Sequence, residues 1–188
     1  MTEKTYLNAQ NLLEDSFRLG AKVINDGFKP NYIIAIWRGG TPIGVAVQEI
    51  LQYNGIESDH IAIRTSSYQG IDDRSRNVRI HGMNYLIKHI CAEDRLLIVD
   101  DVFDTGLTIA AVINHLKEKT RLNAPEIRVA VPYFKPTRNK TDMEPDYYLH
   151  ATESWLKYPH SLEGLTEQEI AEHRPELFDI IKKAKRAS

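Results

Sequence analysis

The chain has 188 residues, 42% of them hydrophobic and 27% charged, and these proportions are ordinary for a globular domain with a sizeable core. Its net charge of −2 provides no basic surface for nucleic acid, and no apolar run approaches the length of a membrane span. Cys91 is the only cysteine, so the chain cannot form an internal disulfide. This, together with an N-terminal segment that is not a signal peptide, favours a cytosolic protein.

The first part of the chain predicts a helix, a buried strand and a second helix. Apolar residues at helical spacing place the first helix at residues 8–26, with Asn8 as a candidate N-cap. The apolar run at residues 32–37 predicts a buried strand, and residues 43–53 predict the next helix.

A glycine turn joins that strand to that helix. The backbone amides of Arg38, Gly39 and Gly40 lie at a helix start, and with the Arg38 guanidinium they suit an anionic group such as a pyrophosphate. The alternative is a plain strand–helix turn with a surface arginine. A second turn of this kind in the same sheet strengthens the anion-binding interpretation.

A second strand is predicted around residues 60–64, and a long polar stretch follows it. Residues 69–82 are too rich in glycine and charge to pack well, so they form either a lid or a disordered surface loop. A short helix is predicted at residues 83–90.

The stretch RLLIVDDVFDTGLT, residues 95–108, is the most informative part of the sequence. Its apolar run predicts a buried parallel strand, and helical spacing resumes at residue 109. Asp100 and Asp101 end the strand and can accept hydrogen bonds from vicinal ribose hydroxyls, while Asp104 faces the same cavity. Strand, acidic loop and helix form the arrangement at which open α/β sheets bind ligands.

The turn after the two acids has the donors of a phosphate site. The amides of residues 104–108 point outward at a helix N-terminus, and Thr105 and Thr108 add hydroxyl donors. Gly106 permits the left-handed conformation that such a turn needs. The alternative is that the two acids end a strand in solvent and Asp104 caps a helix.

Two later segments carry candidate contacts to a flat ligand. Lys135 follows the strand predicted at residues 126–133, and Pro136 fixes it at the carboxyl end, unless it is a surface lysine. Trp155, after a short strand at residues 147–149, is either a stacking platform for a base or a core residue.

The tail beyond residue 162 carries no recognised motif. It predicts two short helices, at residues 166–173 and 175–185, and Thr166 with Glu169 forms a capping-box pattern. The short basic run near the end is a solvated helix end.

The residues from Asp100 to Thr108 resemble the phosphoribosyl-pyrophosphate signature of the type I phosphoribosyltransferases. That signature is an apolar strand, two acids, two spacers and then Asp-Thr-Gly-x-Thr. Leu107 stands where relatives often have Gly or Lys, but only its backbone amide is needed. Arg38-Gly39-Gly40 is similar to the pyrophosphate loop of the xanthine-guanine branch. Ser67-Tyr68 match the family's flexible catalytic loop, whose closure excludes water from the reacting sugar.

Lys135, Trp155 and Leu156 are similar to the base contacts of the purine salvage members. In those relatives a lysine after the fourth strand donates to the purine 6-oxo group, and a later aromatic residue stacks on the ring. This chain departs from the pattern at His160-Ser161, which replace an acidic position, with Glu163 two residues later.

The resemblance implies a Rossmann-like α/β fold, a mostly parallel sheet flanked by helices, in a single domain over residues 1–188. The core is expected at about residues 28–150. A small hood is expected from residues 1–27 and 151–165, followed by a C-terminal helical extension at residues 166–188.

The implied activity is purine salvage. A 6-oxopurine, hypoxanthine or guanine with xanthine as a further candidate, reacts with phosphoribosyl pyrophosphate to give a nucleoside monophosphate and pyrophosphate. Asp104 is expected to be catalytic and to accept or return the proton at purine N7. Asp100 and Asp101 are expected to hold the ribose and, mostly through substrate and water, Mg²⁺. The expected assembly is a cytoplasmic homo-oligomer, a dimer or tetramer, with no nucleic-acid or membrane partner.

Two other functions stay open. Some members of this family are regulators that bind phosphoribosyl pyrophosphate or a nucleotide, and others transfer the sugar to a non-purine base. The weakly acidic charge balance, together with Lys135 and Trp155, favours an enzyme.

Overall fold

The structure is a computed structural model that describes residues 4–68 and 77–184. The chain forms two compact units. The larger unit is Gln10–Glu153, and the smaller unit combines Met1–Ala9 with Ser154–Ser188. In the described part of the chain, no helix has the length and apolar character that crossing a membrane requires.

The described residues contain helices and strands in largely alternating order. The helices are α1 (Ala9–Asn25), α2 (Gly40–Tyr53), α3 (Asn84–His89), α4 (Leu107–Thr120), α5 (Glu167–His173) and α6 (Pro175–Lys183). The strands are β1 (Lys4–Tyr6), β2 (Tyr32–Trp37), β3 (Asp59–Tyr68), β4 (Asn77–His81), β5 (Arg95–Val99), β6 (Val102–Phe103), β7 (Glu126–Phe134), β8 (Tyr147–Ala151) and β9 (Trp155–Lys157). Short 3₁₀ turns follow α4 and β7.

The larger unit is built on one sheet, in which the described strands are ordered β4-β3-β2-β5-β7, with β6 and β8 both pairing with β7. These pairs are parallel except for β3 with β4. Ala35 of β2 is in register with Val99 of β5, so the loops that follow these two strands leave the same edge of the sheet. The predicted α/β fold, a mostly parallel sheet flanked by helices, is confirmed.

The core covers both faces of the central strands, which explains why their sequences are continuously apolar. Ile34 of β2, Ile98 of β5 and Val131 of β7 are fully buried. Helix α2 packs closely on β2, because a Cβ at Gly44 would lie only 2.7 Å from the Cβ of Ala35. The elements predicted for residues 8–53 and 95–134 are confirmed, with ends that differ by a few residues.

Helix α1 belongs with the larger unit and not with the chain ends. Leu19 and Val23 are fully buried, and a Cβ at Gly20 would collide with the side chain of Ile50 in α2. The N-terminal part of the smaller unit ends at Ala9. The expected hood, from residues 1–27 and 151–165, stays a prediction.

The polar stretch after β3 contains more regular structure than its composition predicts. Strand β3 continues through Ser67 and Tyr68, and β4 pairs with it in antiparallel register. Val78 and Ile80 alternate with polar neighbours, and Ile80 packs against the core, so this strand has one apolar face. The remainder of the predicted loop, residues 69–76, lies outside the described residues.

The smaller unit contains a two-stranded parallel sheet and two helices. Strand β1 pairs with β9 in the register Lys4↔Trp155 to Tyr6↔Lys157. Both tail helices are confirmed, and the predicted capping box of α5 is present, with Thr166 and Glu169 bonding each other's backbone amides. The sequence patterns did not predict β1 or β9, because each has only three residues.

Candidate functional site

The two predicted ligand loops meet at the edge of the sheet. A Cβ at Gly39 would collide with the carboxylate of Asp101. A Cβ at Gly40 would lie 2.5 Å from the Val99 carbonyl oxygen and 2.8 Å from Cα of Asp100. Both positions therefore require glycine for close approach, and the structure brings the Arg-Gly-Gly turn directly against the two acids.

The Arg-Gly-Gly turn opens α2 without a side-chain cap. Gly39 is the N-cap residue and Gly40 begins the helix. The Gly40 amide is directed to Asp100, the Thr41 amide donates to the Arg38 carbonyl at 3.2 Å, and Pro42 has no N–H, so the first-turn amides of α2 are already engaged. The hydroxyl of Thr41 is buried and has no hydrogen-bond partner within the described residues. Arg38 is exposed and follows a cis peptide bond after Trp37. Thr41 was missed by sequence reasoning, although it directly follows the glycine pair.

The two acids at the end of β5 share a desolvated position. The backbone amide of Asp101 donates to Oδ1 of Asp100 at 2.9 Å. Burial raises the pKa of Asp100 well above its usual range, and the neighbouring Asp101 carboxylate raises it further. Burial also raises the pKa of Asp101, to about 6. A nearby cation, or ligand hydroxyls that donate hydrogen bonds to these carboxylates, would stabilise their charged forms.

The two carboxylates fit a magnesium ion that is held mainly by substrate oxygens and water. In residues 4–68 and 77–184, no group of three or more acidic, histidine or cysteine side chains could hold a metal ion alone. Mg²⁺ takes few protein carboxylates and completes its octahedron with waters and substrate oxygens. Asp100 and Asp101 therefore suffice for contact through water and substrate.

The turn after β6 adopts the conformation predicted for phosphate binding. Gly106 has φ 74° and ψ −13°, in the left-handed region, and α4 begins at the next residue without a side-chain cap. A Cβ at Gly106 would lie 2.7 Å from both the Phe103 ring and the Thr141 hydroxyl, so only glycine fits. Leu107 is 37% exposed, so its side chain points at least partly to solvent, while its amide stays in the first helical turn.

A cavity of about 200 Å³ lies inside this strand–loop–helix unit. This volume is below the roughly 300–1,000 Å³ of pockets that enclose a whole drug-sized ligand, so the cavity suits one anionic or sugar group. Its walls are formed by Asp100, Asp101, Val102, Phe103, Asp104, Thr105, Gly106, Thr108 and Ile109. The structure thus gathers all the predicted ribose-phosphate residues except the Leu107 side chain around one cavity.

Asp104 forms an ion pair that the sequence did not indicate. Nε of Arg138 lies 2.7 Å from Oδ1 of Asp104, although the pair is not aligned as a hydrogen bond. The amide of Lys140 donates to the Thr105 carbonyl at 3.0 Å, so the segment after β7 also supports the turn that contains Gly106. The only sequence signal for Arg138 is its place three residues after Lys135.

Lys135 is buried, with 6% of its surface exposed, so the surface-lysine alternative does not hold. Its amide donates to the Phe103 carbonyl at 2.9 Å, which places it next to the residue before Asp104. Lys135 also interacts electrostatically with the carboxylate of Glu153. The pKa of Glu153 is lowered mainly by hydrogen bonds from Thr137 and to a smaller extent by the charge of Lys135.

Trp155 lies in the smaller unit and is 53% exposed, so it is not a core tryptophan. The ammonium of Lys157 lies 5.2 Å from its ring centroid. Leu156, between them in β9, is buried with 9% exposure.

Two glycine turns that follow adjacent parallel strands, with paired carboxylates between them, lie at the edge where α/β sheets bind ligands. The chain belongs to the family of the phosphoribosyl transferase domain, whose family model matches residues 2–163. A search of curated proteins found no match.

Solved structures share this fold. The purine phosphoribosyltransferase from Pyrococcus horikoshii Ot3 is 30% identical, with a TM-score of 0.68 over 87% of this chain and 97% of that chain. A hypothetical protein from Neisseria gonorrhoeae with bound ppGpp is 20% identical, with a TM-score of 0.74 over 96% and 98% of the two chains. The xanthine-guanine-hypoxanthine phosphoribosyltransferase of Helicobacter pylori is 18% identical, with a TM-score of 0.62 over 84% and 92%.

Proposed function

We propose that the protein is a purine salvage phosphoribosyltransferase. In this proposal a 6-oxopurine reacts with phosphoribosyl pyrophosphate to give a nucleoside monophosphate and pyrophosphate. The observation that carries the proposal is the close approach of Gly39 and Gly40 to Asp100 and Asp101, which joins an anion-binding turn to a pair of ribose acceptors. The 30% identity to a purine phosphoribosyltransferase supports the substrate class.

The phosphoribosyl group is bound by the unit from β5 to α4. The first-turn amides of α4 and the hydroxyls of Thr105 and Thr108 bind the 5′-phosphate. Asp100 and Asp101 accept hydrogen bonds from the ribose hydroxyls, and their raised pKa values reflect the desolvation that such contacts would relieve.

The pyrophosphate lies against the Arg-Gly-Gly turn. The Arg38 guanidinium and the Gly39 amide bind its oxygens, and the buried Thr41 hydroxyl is a further donor. When bound, magnesium would supply positive charge for the leaving group, held by substrate oxygens, waters and the two acids. Ser67 and Tyr68 remain the proposed start of a loop that excludes water, at the end of β3.

Asp104 is the proposed catalytic group. As the purine N9 attacks C1′ and pyrophosphate departs, the carboxylate accepts the proton from N7, and in the reverse reaction it returns that proton. The ion pair with Arg138 holds the carboxylate in place for this transfer.

The base is recognised by Lys135, Trp155 and Leu156. The Lys135 ammonium only donates hydrogen bonds, so it suits a 6-oxo oxygen and rejects a 6-amino group. The exposed Trp155 ring offers a stacking face, and the backbone at Leu156 offers polar groups to position 2 of the purine.

A base panel tests this function. The purified protein is given phosphoribosyl pyrophosphate, magnesium and, in turn, hypoxanthine, guanine, xanthine, adenine or uracil, and pyrophosphate release is measured. Release that depends on a 6-oxopurine supports the proposal. Release only with uracil indicates a transferase for a non-purine base.

The second candidate is a regulator that binds a purine nucleotide through the same loops. It is favoured by the Neisseria gonorrhoeae structure with bound ppGpp, which matches 96% of this chain. Tight binding of ppGpp together with no pyrophosphate release from any base would support a regulator. The homo-oligomeric state and the cytoplasmic location remain predictions of the sequence.

A further inference from the structure

Arg174 lies at the junction of α5 and α6, beyond the end of the family match at residue 163. Its guanidinium donates hydrogen bonds to the carbonyl of Lys157, the last residue of β9, at 3.3 Å. It also donates to carbonyls of the loop that follows, those of Tyr158 at 2.7 Å, Ser161 at 2.8 Å and Pro159 at 3.4 Å. One side chain of the C-terminal extension therefore bonds four of the five main-chain carbonyls at residues 157–161.

The backbone of Arg174 is itself fixed by both helices. Its amide donates to the Ile170 carbonyl at 2.8 Å, and its own carbonyl accepts from the Phe178 amide at 3.0 Å. A guanidinium is planar, permanently charged and carries five donors, and its hydrogen bonds are stronger than neutral ones. The carbonyls of an irregular loop have few hydrogen-bond partners in neighbouring strands. The Arg174 guanidinium supplies such partners and thereby fixes the conformation of the loop after β9.

A second cation, Lys157, contacts both this loop and the candidate base contact Trp155. Lys157 is 5% exposed, and its ammonium donates to the carbonyls of Glu163 at 3.1 Å and Gly164 at 3.3 Å. The same ammonium lies 5.2 Å from the Trp155 ring centroid. Gly164 has φ +69°, and a Cβ there would lie 3.0 Å from the ammonium, so the loop closes tightly around Lys157.

We propose that Arg174 is a positioning residue that fixes the loop at residues 157–164 and, through Lys157, the Trp155 ring. This gives the C-terminal extension a role in base recognition. The consequence for the base rests on the proposed function, whereas the effect on the Trp155 ring does not. A purely stabilising role would lower the unfolding temperature without changing the surroundings of Trp155.

Tryptophan fluorescence tests the positioning directly. The chain has two tryptophans, so Trp37→Phe leaves Trp155 as the sole reporter. In that background, Arg174→Ala is expected to shift the Trp155 emission to longer wavelength and to increase its quenching by acrylamide. Arg174→Lys, which keeps the charge but loses the planar fork, is expected to give a smaller change. Lys182→Ala, which removes an exposed cation near the end of α6, is the matched control and leaves the emission unchanged.

Steady-state kinetics test the consequence for the base. Arg174→Ala is expected to raise KM for guanine by about tenfold or more while KM for phosphoribosyl pyrophosphate stays within about twofold, because only the base contacts are displaced. Arg174→Lys is expected to lie between wild type and Arg174→Ala. A change in kcat with equal KM values would contradict positioning of the base contacts.

The two measurements separate this inference from the proposed function. Unchanged Trp155 emission in folded Arg174→Ala and Arg174→Lys overturns the positioning role, whatever the enzyme assay gives. A shifted emission in a protein that releases no pyrophosphate with any base supports the positioning of Trp155 and overturns the proposed enzymatic function instead.

Discussion

In the larger unit, backbone geometry brings the two candidate ligand turns together, whereas in the smaller unit cationic side chains hold the loop that follows β9. Gly39 and Gly40 approach Asp100 and Asp101 because β2 and β5 are parallel neighbours in register. The loop after β9 is held instead by Arg174 and Lys157. A site built from the backbone resists most substitutions outside its glycines, whereas one built from side chains can be lost with a single residue.

The pKa values of Asp101 in the larger unit and Glu169 in the smaller unit are shifted in opposite directions. Burial raises the pKa of Asp101 to about 6, so the charged form is disfavoured in the folded protein. The hydrogen bond from Lys4 and further bonds from Thr166 lower the pKa of Glu169 to about 2, so its charged form is favoured. A raised carboxylate pKa is typical of functional sites, whereas a lowered one is typical of carboxylates in ion pairs that stabilise the fold.

The largest expected effect concerns base choice in the larger unit. Adenine is expected to be rejected relative to guanine by about 10³-fold or more in kcat/KM, because its 6-amino group meets the Lys135 donor and leaves a buried charge unpaired. Lys135→Ala should reduce guanine turnover, whereas Lys140→Ala, which removes a nearby exposed lysine, should not. Initial rates with both bases check this, and efficient use of adenine would show that Lys135 does not recognise the base.

The next effect concerns the catalytic carboxylate. Asp104→Asn is expected to keep substrate binding and to lower turnover by about 10²-fold or more, because proton transfer at N7 is lost. Asp142→Asn changes an exposed acid in the segment after β7 and serves as the control. The measurement is kcat across the pH range, and wild-type turnover in Asp104→Asn would remove this residue from the mechanism.

A smaller effect is expected at the Arg-Gly-Gly turn. Arg38→Ala should weaken binding of pyrophosphate and phosphoribosyl pyrophosphate by about tenfold, the value of a charged hydrogen bond, without changing base affinity. Arg95→Ala, at the opposite end of β5, is the matched control. Calorimetric titrations compare the ligands, and activity should vanish in excess chelator. Full activity without magnesium would contradict the assignment of the paired acids.

The smallest expected effect concerns the stability of the smaller unit and its dependence on pH. Because the pKa of Glu169 in the folded protein is lowered to about 2 from its usual 4.5, its charge stabilises the fold above about pH 4.5, and this contribution is lost as pH falls towards 2. Glu169→Gln should therefore unfold at a lower temperature than wild type at pH 7, with a difference that shrinks below pH 4.5. Glu176→Gln is the control, and a pH-independent difference would exclude the ion pair as the cause.

The sequence predicts the larger unit well because its information is local. The apolar runs of β2 and β5, the glycine turns and the Asp-Thr-Gly-x-Thr motif each specify a strand, a loop and a helix start within a few residues. Gly106 at φ 74° is an example, since the turn needs a left-handed residue and the sequence supplies glycine there.

Sequence patterns miss features that depend on distant partners. Strand β1 pairs with β9 at the other end of the chain, and three residues carry no periodicity. Strand β4 is hidden by charged neighbours, and its pairing with β3 becomes visible only in the fold. The contacts of Arg138 with Asp104 and of Arg174 with main-chain carbonyls leave no motif, because a carbonyl acceptor is the same at every residue.

The central claim is that the backbone approach of two loops creates one site for phosphoribosyl pyrophosphate, and a single glycine tests it most directly. In Gly40→Ala the new Cβ meets the backbone of Val99 and Asp100, which cannot move aside, whereas Gly55→Ala places a Cβ in open space at φ +76°. Both changes cost stability, by roughly 1–3 kcal/mol. Calorimetric titration with phosphoribosyl pyrophosphate and magnesium should show a loss of affinity of about 10²-fold or more in Gly40→Ala alone. Wild-type affinity in folded Gly40→Ala would contradict the account.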